Sequence, residues 1–512
     1  MGISLITQGL LSSLCFAEAM ADSEEERENI LPSSSWGSKS ENLFGEVSPL
    51  PSSRSDVASY GLTSAERVRF RLRAPVSLVN RPMNMIATAV FGERQARVAA
   101  ALQLTNEIVV VGAGEPVPLP EGTDQTYPFR AHAEYFYLTG IDAPHGVLCF
   151  DPKERAARQW VSFVPDVTEA ERTWEGRTQV EGKTLAALEP WLTKRRGRTV
   201  ANLGAPLRGV HSEEALVARI REQLMHARRR KDKAELESMG RAARATAQGF
   251  AAARQVLEPG VTERVLQIEL EAGFNRGGAD RTGYGTIVGS GPNSAVLHFS
   301  PSQRKVGRGE FVLIDAGAEV ERYVIDVTRT FVAGGKPSAF QRDLFGLVLN
   351  VEEAAISRCV PGAEWKEIHL RAATELTAGL VDMGVMRGAA ASLVEQCAHM
   401  LFFPHGLGHL VGLGVRDASG LFPGRLKDKH PALKNLRMDL PLAPGYVTTV
   451  EPGLYFIPAI LNNPRRRERY RECVNWPLVE RYLQLGGVRI EDNVLVTDGL
   501  PKVLTREIPK NF

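Results

Sequence analysis

The sequence predicts a two-domain α+β protein: a smaller α/β N-terminal domain, then a larger domain in which helices alternate with antiparallel strands. Its 512 residues suggest two or three domains and are ample for a substantial core. Short apolar runs of strand-forming residues recur in both halves, separated by a long stretch rich in Ala, Arg and Glu over 213–256. Four acids of the second half, Asp315, Asp326, Glu451 and Glu491, each stand in or at the end of an otherwise apolar strand-like run.

The chain opens with M-G-I-S-L-I-T-Q-G-L-L-S-S-L-C-F-A-E-A-M. It has a modest apolar centre but no positive n-region, and Gln8 and several serines interrupt it, which argues against a signal peptide. Ile6 also breaks the myristoylation pattern. Residues 21–60 are polar, Ser-rich and aperiodic, so 1–82 is expected to be a disordered extension. The globular pattern begins at Met83 with a helical G-E-R-Q-A-R-V-A-A-A-L, the strand E-I-V-V-V-G, then E-Y-F-Y-L-T-G and G-V-L-C-F, and the first domain runs to 212. V-V-V-G-A-G-E-P-V invites a dinucleotide reading, but Pro116 and Pro118 stop the helix such a site needs. A connecting helix is predicted over Glu213–Val256, and the second domain over 257–512.

The acidic pair of F-V-L-I-D-A-G-A-E-V-E-R-Y-V-I-D-V-T reads as two arms of a hairpin. If the turn centres between Val320 and Glu321, Asp315 and Asp326 are direct cross-strand partners on one face. Opposed Cβ atoms lie roughly 5 Å apart, so two ionised carboxylates in an apolar sheet would repel and be poorly solvated unless cations neutralise them. Aspartates at strand ends more often cap turns, and this pair alone would not decide the matter.

Two further acids repeat the pattern. Glu451 follows a β-branched run in Y-V-T-T-V-E-P-G, and Glu491 sits in G-V-R-I-E-D-N-V-L-V with Arg489 two residues earlier, hence on the same face. In F-F-P-H-G-L-G-H-L-V-G-L, Gly406 and Gly408 argue against a helix and predict that a tight loop holds His405 and His409 against the sheet. One imidazole with four carboxylates suits paired Mn, Co or Zn ions, and the predominance of oxygen favours Mn2+.

These segments resemble the pita-bread metallopeptidases, in their proline-peptidase branch of Xaa-Pro dipeptidases (prolidases) and Xaa-Pro aminopeptidases. The resemblance covers approximately residues 85 to 505, with the motifs in the family's order. It implies a pita-bread catalytic domain, and an N-terminal domain that narrows the site and mediates homodimer or homotetramer contacts. It further implies two divalent ions: Asp315 a ligand of one, Asp326 and Glu491 bridging, His409 and Glu451 ligands of one ion. Glu451 would also collect and return the proton. His298, in G-S-G-P-N-S-A-V-L-H-F, and His405 would line the pocket and stabilise the intermediate or protonate the leaving nitrogen. Arg489 would contact substrate or orient a bridging carboxylate.

The pattern H-G-x-G-H-x-x-G-x-x-x-H-D is departed from once, with Arg416 in place of the last histidine. Arginine accepts no proton but offers fixed donors and a permanent charge, so a carboxylate clamp is favoured over altered specificity or a crippled enzyme. Arg437, in A-L-K-N-L-R-M-D-L, matches the place of the prolidase arginine that binds a substrate carboxylate, the alternative being a solvated arginine beside Asp439. Together with the long 462–487 segment this favours an Xaa-Pro dipeptidase. The alternatives are an Xaa-Pro aminopeptidase acting on longer peptides, or a metal-free peptide- or partner-binding protein on the same fold. The full ligand set argues against creatine hydrolysis, and the extra domain against methionine removal.

A net charge of +2 gives no footprint for nucleic acid, and no run reaches membrane-spanning length. The basic runs 227–233 and 463–469 read as solvated faces. Cys15, Cys149, Cys359, Cys397 and Cys473 are scattered and odd in number, as expected of free thiols in the cytoplasm. H-E-x-x-H, G-x-S-x-G and P-loop motifs are absent.

Overall fold

The computed structural model describes residues 88–120 and 125–512; the extension 1–82 predicted to be disordered, and Cys15, lie outside them. The helical run becomes α1 (Thr88–Leu102), followed by β1 (Ile108–Gly112), α2 (Ala133–Thr139), β2 (Val147–Phe150), β3 (Trp160–Val164), α3 (Glu169–Glu175), β4 (Lys183–Thr184), α4 (Leu188–Thr193) and β5 (Val200–Gly204). The five strands form one mixed sheet in the order β4-β3-β2-β1-β5, with β1 antiparallel to β2 and parallel to β5. E-Y-F-Y-L-T is the helix α2, buried along residues 134–138. Gly112 belongs to a close strand approach and not a phosphate loop, for a Cβ there would lie 2.1 Å from the Ala205 carbonyl oxygen.

The predicted single connecting helix is two helices, α5 (Glu214–Arg229) and α6 (Lys233–Val256). Asp232 breaks them apart: its carboxylate accepts from the Glu235 N–H at 3.0 Å while the Glu235 side chain accepts from the Asp232 N–H at 2.9 Å, a capping box that starts α6. The basic run across this junction is no solvated face. Arg228, Arg229 and Lys231 are buried, and Arg228 Nη2 and Lys231 Nζ reach the two oxygens of Asp417 at 2.5 and 2.8 Å. The other run, by contrast, lies on the helix Pro464–Arg469, which buries no residue.

The second half adds α7 (Glu263–Arg276), β6 (Arg281–Thr282), β7 (Ile287–Ser290), β8 (Phe311–Asp315), β9 (Ala318–Val320), β10 (Tyr323–Val324), β11 (Thr328–Val332), α8 (Ala339–Ser357) and α9 (Trp365–Asp382). There follow β12 (Gly420–Leu421), β13 (Met438–Asp439), β14 (Val447–Val450), β15 (Gly453–Tyr455), β16 (Gly487–Arg489), β17 (Asp492–Leu495) and β18 (Lys502–Val503). The ladders run β11-β8-β7, β10-β9-β6, β14-β17-β18 and β15-β16. Strand β8 alternates as a two-sided strand should: Val312 and Ile314 join the core under α6 and α7, while Phe311 joins the core under α8 and α9. The first of these cores also takes in Val109, Leu148 and Ile220, so N-terminal sheet, connecting helices and catalytic sheet share one apolar interior. At about 1.5–3 kcal/mol per fully buried large apolar side chain, this shared interior holds the acid-bearing strands in place.

The hairpin register departs from expectation. Val320 pairs with Tyr323 and Asp315 with Thr328, so the turn is Glu321–Arg322, both at positive φ (51° and 72°). Continued inward, this register sets Asp326 opposite Gly317, whose missing side chain makes room for the Ile325 carbonyl. Asp315 and Asp326 are therefore diagonal neighbours on one face and not direct partners, because the turn sits one residue further along the chain. A two-residue shift preserves the face.

Candidate metal centre

Two interrupted strands bring in the glutamates. Glu451 lies in the gap between β14 and β15 and Glu491 in the gap between β16 and β17, and the Val450–Asp492 and Gly453–Arg489 pairings on either side share one register. Extending that register places Glu451 directly opposite Glu491. The histidine loop packs against the same strand: a Cβ on Gly408 would lie 2.2 Å from the Thr449 carbonyl oxygen, so glycine is what lets His409 reach the sheet.

His409 is buried and its Nδ1 lies 3.1 Å from the Leu410 carbonyl oxygen. A carbonyl only accepts, so Nδ1 carries the proton and Nε2 presents a lone pair, 3.4 Å from Asp326 and 3.9 Å from Glu451. One ligand atom each from Asp326, His409 and Glu491 lie within 4.8 Å of one another. Asp315 joins through Arg489, whose Nη2 donates to it at 2.5 Å, and through Tyr284, whose hydroxyl donates at 2.7 Å.

Arg489 is buried beneath the acids. It also donates to Thr328 Oγ1 at 3.0 Å and to the Tyr455 hydroxyl at 2.9 Å, and Thr328 in turn donates to Glu491 at 2.7 Å. Its donors thus go to protein acceptors, in keeping with the orienting role of the two expected for it. It touches Asp315 directly and Glu491 only through Thr328.

The electrostatics are those of too many anions in too little water. Burial raises the Asp315, Glu451 and Glu491 carboxyls, Glu451 to about 7, and the neighbouring acids add to this in each case against the pull of Arg489. Burial lowers His409, but Asp326 and Glu451 outweigh it and the imidazole is raised. A convergent set of oxygens and one imidazole nitrogen, short of positive charge, is a donor set that fits divalent cations.

His405 is held by hydrogen bonds on both ring nitrogens. Its Nδ1 faces the Gly406 carbonyl at 2.8 Å, so its Nε2 accepts from the Tyr455 hydroxyl, also at 2.8 Å. Burial and the Arg489 charge push the imidazole down to about 3, which favours its neutral form. His298 is exposed in the turn after β7, and its charge is among those felt by His405. Arg416 and Arg437 are exposed on the rim, with the Arg437 N–H 3.7 Å from where a Gly406 Cβ would be. Arg437 is lowered by burial and then by the charge of Arg416, with Glu451 acting in the opposite direction, so the three lie within electrostatic reach of one another. Asp439 pairs with Arg425 at 2.7 Å, so it is not the partner that would make Arg437 a solvated ion pair.

Tyr284, Thr328, Tyr455 and Asp417 escaped sequence reasoning. Thr328 and Tyr455 are polar groups in apolar runs, a signal that exists, whereas Tyr284 and Asp417 stand among small and polar residues; the partners of all four are 31 to 189 positions away in the chain. The cysteines at 149, 359, 397 and 473 are free, and among the described residues no helix is long and apolar enough to cross a membrane.

Comparisons with known proteins agree with this geometry. Residues 237–498 match the model of metallopeptidase family M24, and residues 91–187 that of the aminopeptidase P N-terminal domain. The Xaa-Pro aminopeptidase of Haemophilus influenzae is 32% identical over 443 residues, covering 82% of this chain and 95% of that protein. Among solved structures, aminopeptidase PepP of Pseudomonas aeruginosa aligns with a TM-score of 0.67 at 27% identity, over 83% of this chain and 96% of that one. Zn-substituted E. coli aminopeptidase P in complex with product aligns at 0.67 and 26% identity, over the same shares. These relatives support the aminopeptidase alternative over the prolidase-like dipeptidase expected from the sequence. The chain belongs to metallopeptidase family M24, in its proline-peptidase branch, with a pita-bread catalytic domain behind an aminopeptidase P N-terminal domain.

Proposed function

We propose that the protein is an Xaa-Pro aminopeptidase, removing the first residue from peptides with proline second, with two divalent ions held by Asp315, Asp326, His409, Glu451 and Glu491. The buried convergence of Asp326, His409 and Glu491 carries this reading. When bound, the ions supply Lewis-acid activation of water and of the scissile carbonyl. The abundance of oxygen ligands makes Mn2+ the proposed metal.

Around that chemistry the chain's own residues divide the work. Glu451, raised to about 7 by burial, takes the proton and returns it to the leaving imide nitrogen. Arg489 and Tyr284 hold Asp315 in place. The Tyr455 hydroxyl accepts from Arg489 and donates to His405 Nε2, which ties the His405 ring to the groups behind the acids. Arg416 and Arg437 receive the part of the peptide beyond proline at the rim, where their charge attracts a carboxylate.

The test strips metal with a chelator and reloads Mn2+. Release of the first residue from Xaa-Pro tripeptides and longer peptides is then compared with release of proline from Xaa-Pro dipeptides. Metal-dependent cleavage of the longer peptides is the expected result. Turnover confined to dipeptides would make the protein a prolidase, and no turnover of either would overturn both readings.

A further inference from the structure

We propose that Arg329 is a positioning residue for Glu491 and that the C-terminal segment Ile508–Lys510 is the anchor it works against. Arg329 is 1% exposed on β11, and every nitrogen of its guanidinium is engaged. Nη1 donates to the Thr328 carbonyl at 2.9 Å and the Glu491 carbonyl at 2.7 Å. Nη2 donates to Asp492 Oδ1 and to the Ile508 carbonyl, both at 2.8 Å, and Nε to the carbonyls of Ile508 and Pro509 at 3.1 and 3.2 Å. One planar group thereby joins three segments that are otherwise far apart in sequence: the acid-bearing hairpin, the Glu491–Asp492 step and the C-terminal tail.

The need for it follows from where Glu491 stands. It occupies the gap between β16 and β17, and it meets the hairpin at Thr328, the Glu491 N–H donating to the Thr328 carbonyl at 3.1 Å and the Thr328 hydroxyl to the Glu491 carboxylate at 2.7 Å. The Val450–Asp492 and Gly453–Arg489 pairs flank it on one edge, but on the hairpin edge the bridge to Thr328 is isolated, so the Glu491 carbonyl there depends on what else binds it. Arg329 supplies the donor to the Glu491 carbonyl, and the same guanidinium grips the next side chain, Asp492. The tail closes the arrangement. Lys510 Nζ lies 2.6 Å from Asp492 Oδ2 and 2.7 Å from Glu352, and the Thr505 hydroxyl donates to Asp492 at 2.6 Å. Asp492 and Glu352 are both fully buried, so two carboxylates are held by two cations, one of them from the last residues of the chain. A lysine at 329 would keep the charge but could not span three segments, because an ammonium lacks the flat fork.

The inference rests on the proposed binding of metal by Glu491, and its test reads metal affinity and local opening as well as activity. Mn2+ binding by calorimetry, kcat and KM, and amide exchange over 489–495 are compared for the native protein, Arg329→Lys and Lys510→Met. Arg329→Lys is expected to raise the Mn2+ Kd at least about 10-fold and to lower kcat with little change in KM, in the range found when groups behind metal ligands are altered. Lys510→Met is expected to do the same more weakly, and both to speed exchange at 490–494. A lowered melting temperature with unchanged Mn2+ Kd and unchanged exchange would reduce Arg329 to a structural tie and overturn the proposal. If Arg329→Lys does not fold, Lys510→Met decides by the same criteria. Failure of the native protein to bind Mn2+ would instead sink the metal-site reading, while exchange over 489–495 would still judge the anchoring.

Discussion

Glu451 and Glu491 face each other across the gap shared by two ladders, in the register that pairs Val450 with Asp492 on one side and Gly453 with Arg489 on the other. The direct opposition of acids expected of Asp315 and Asp326 is realised by this second pair. Because burial raises Glu451 to about 7 and Glu491 well above its ordinary value, neutralisation by cations is worth most where both would otherwise be charged. Glu451→Gln is expected to lower kcat/KM by roughly 100-fold or more, as loss of a general base does. Steady-state kinetics on an Xaa-Pro peptide checks this.

Metal removal gives a pH signature from the same acids. A carboxyl raised on folding favours the folded state when protonated. The metal-free protein therefore gains stability as pH falls through about 7 towards the ordinary carboxylate value, and loses it as pH rises again. The excess melting temperature of the Mn2+-loaded over the chelated protein should accordingly shrink between pH 7 and 5. A difference that stays constant across that range in calorimetry would contradict it.

Tyr455→Phe leaves Arg489 Nη1 and His405 Nε2 without their shared hydroxyl in a buried place. Leaving buried polar groups unpaired costs about 1–3 kcal/mol, so kcat is expected to fall by about 10- to 100-fold while the fold persists, measured by kinetics alongside circular dichroism.

Asp417→Asn removes the counter-charge of Arg228 and Lys231, both buried at the junction of α5 and α6. Breaking a buried pair from one side costs about 3–5 kcal/mol. The unfolding free energy from denaturant titration should drop by that amount, and Arg416, the adjacent residue, should lose its place on the rim.

His369 and His399 are buried and neutral, both lowered to about 4 by desolvation, and both ring nitrogens of His369 lack a hydrogen-bond partner. The unfolded chain protonates them near 6.5, so their contribution to stability is whole above that value and is lost as pH falls towards 4, at up to about 1.4 kcal/mol per pH unit for each group. In His369→Gln the slope of unfolding free energy against pH between 6.5 and 4 should be shallower by up to that amount.

Much of the centre was legible along the chain. Alternation of side chains along a strand placed Arg489 and Glu491 on one face from a spacing of two, and Asp315 and Asp326 were placed on one face from their positions on the two arms of a hairpin. Gly406 and Gly408 announced a loop in close contact because glycine alone tolerates it. The capping box at Asp232 and Glu235 was equally local and could have divided the connecting helix.

What the residues determined by themselves was therefore chemical type and facing: an oxygen-rich donor set with one imidazole, on apolar strands of a two-domain α+β chain. Tertiary structure decided the rest. The turn at Glu321–Arg322 set which acids oppose which, burial and the Arg489 charge lowered His405, and Asp417 drew a basic run inward. These depend on partners far away in sequence, and on burial that turns a small surface interaction into a large one. Neither can be read from the local order of residues.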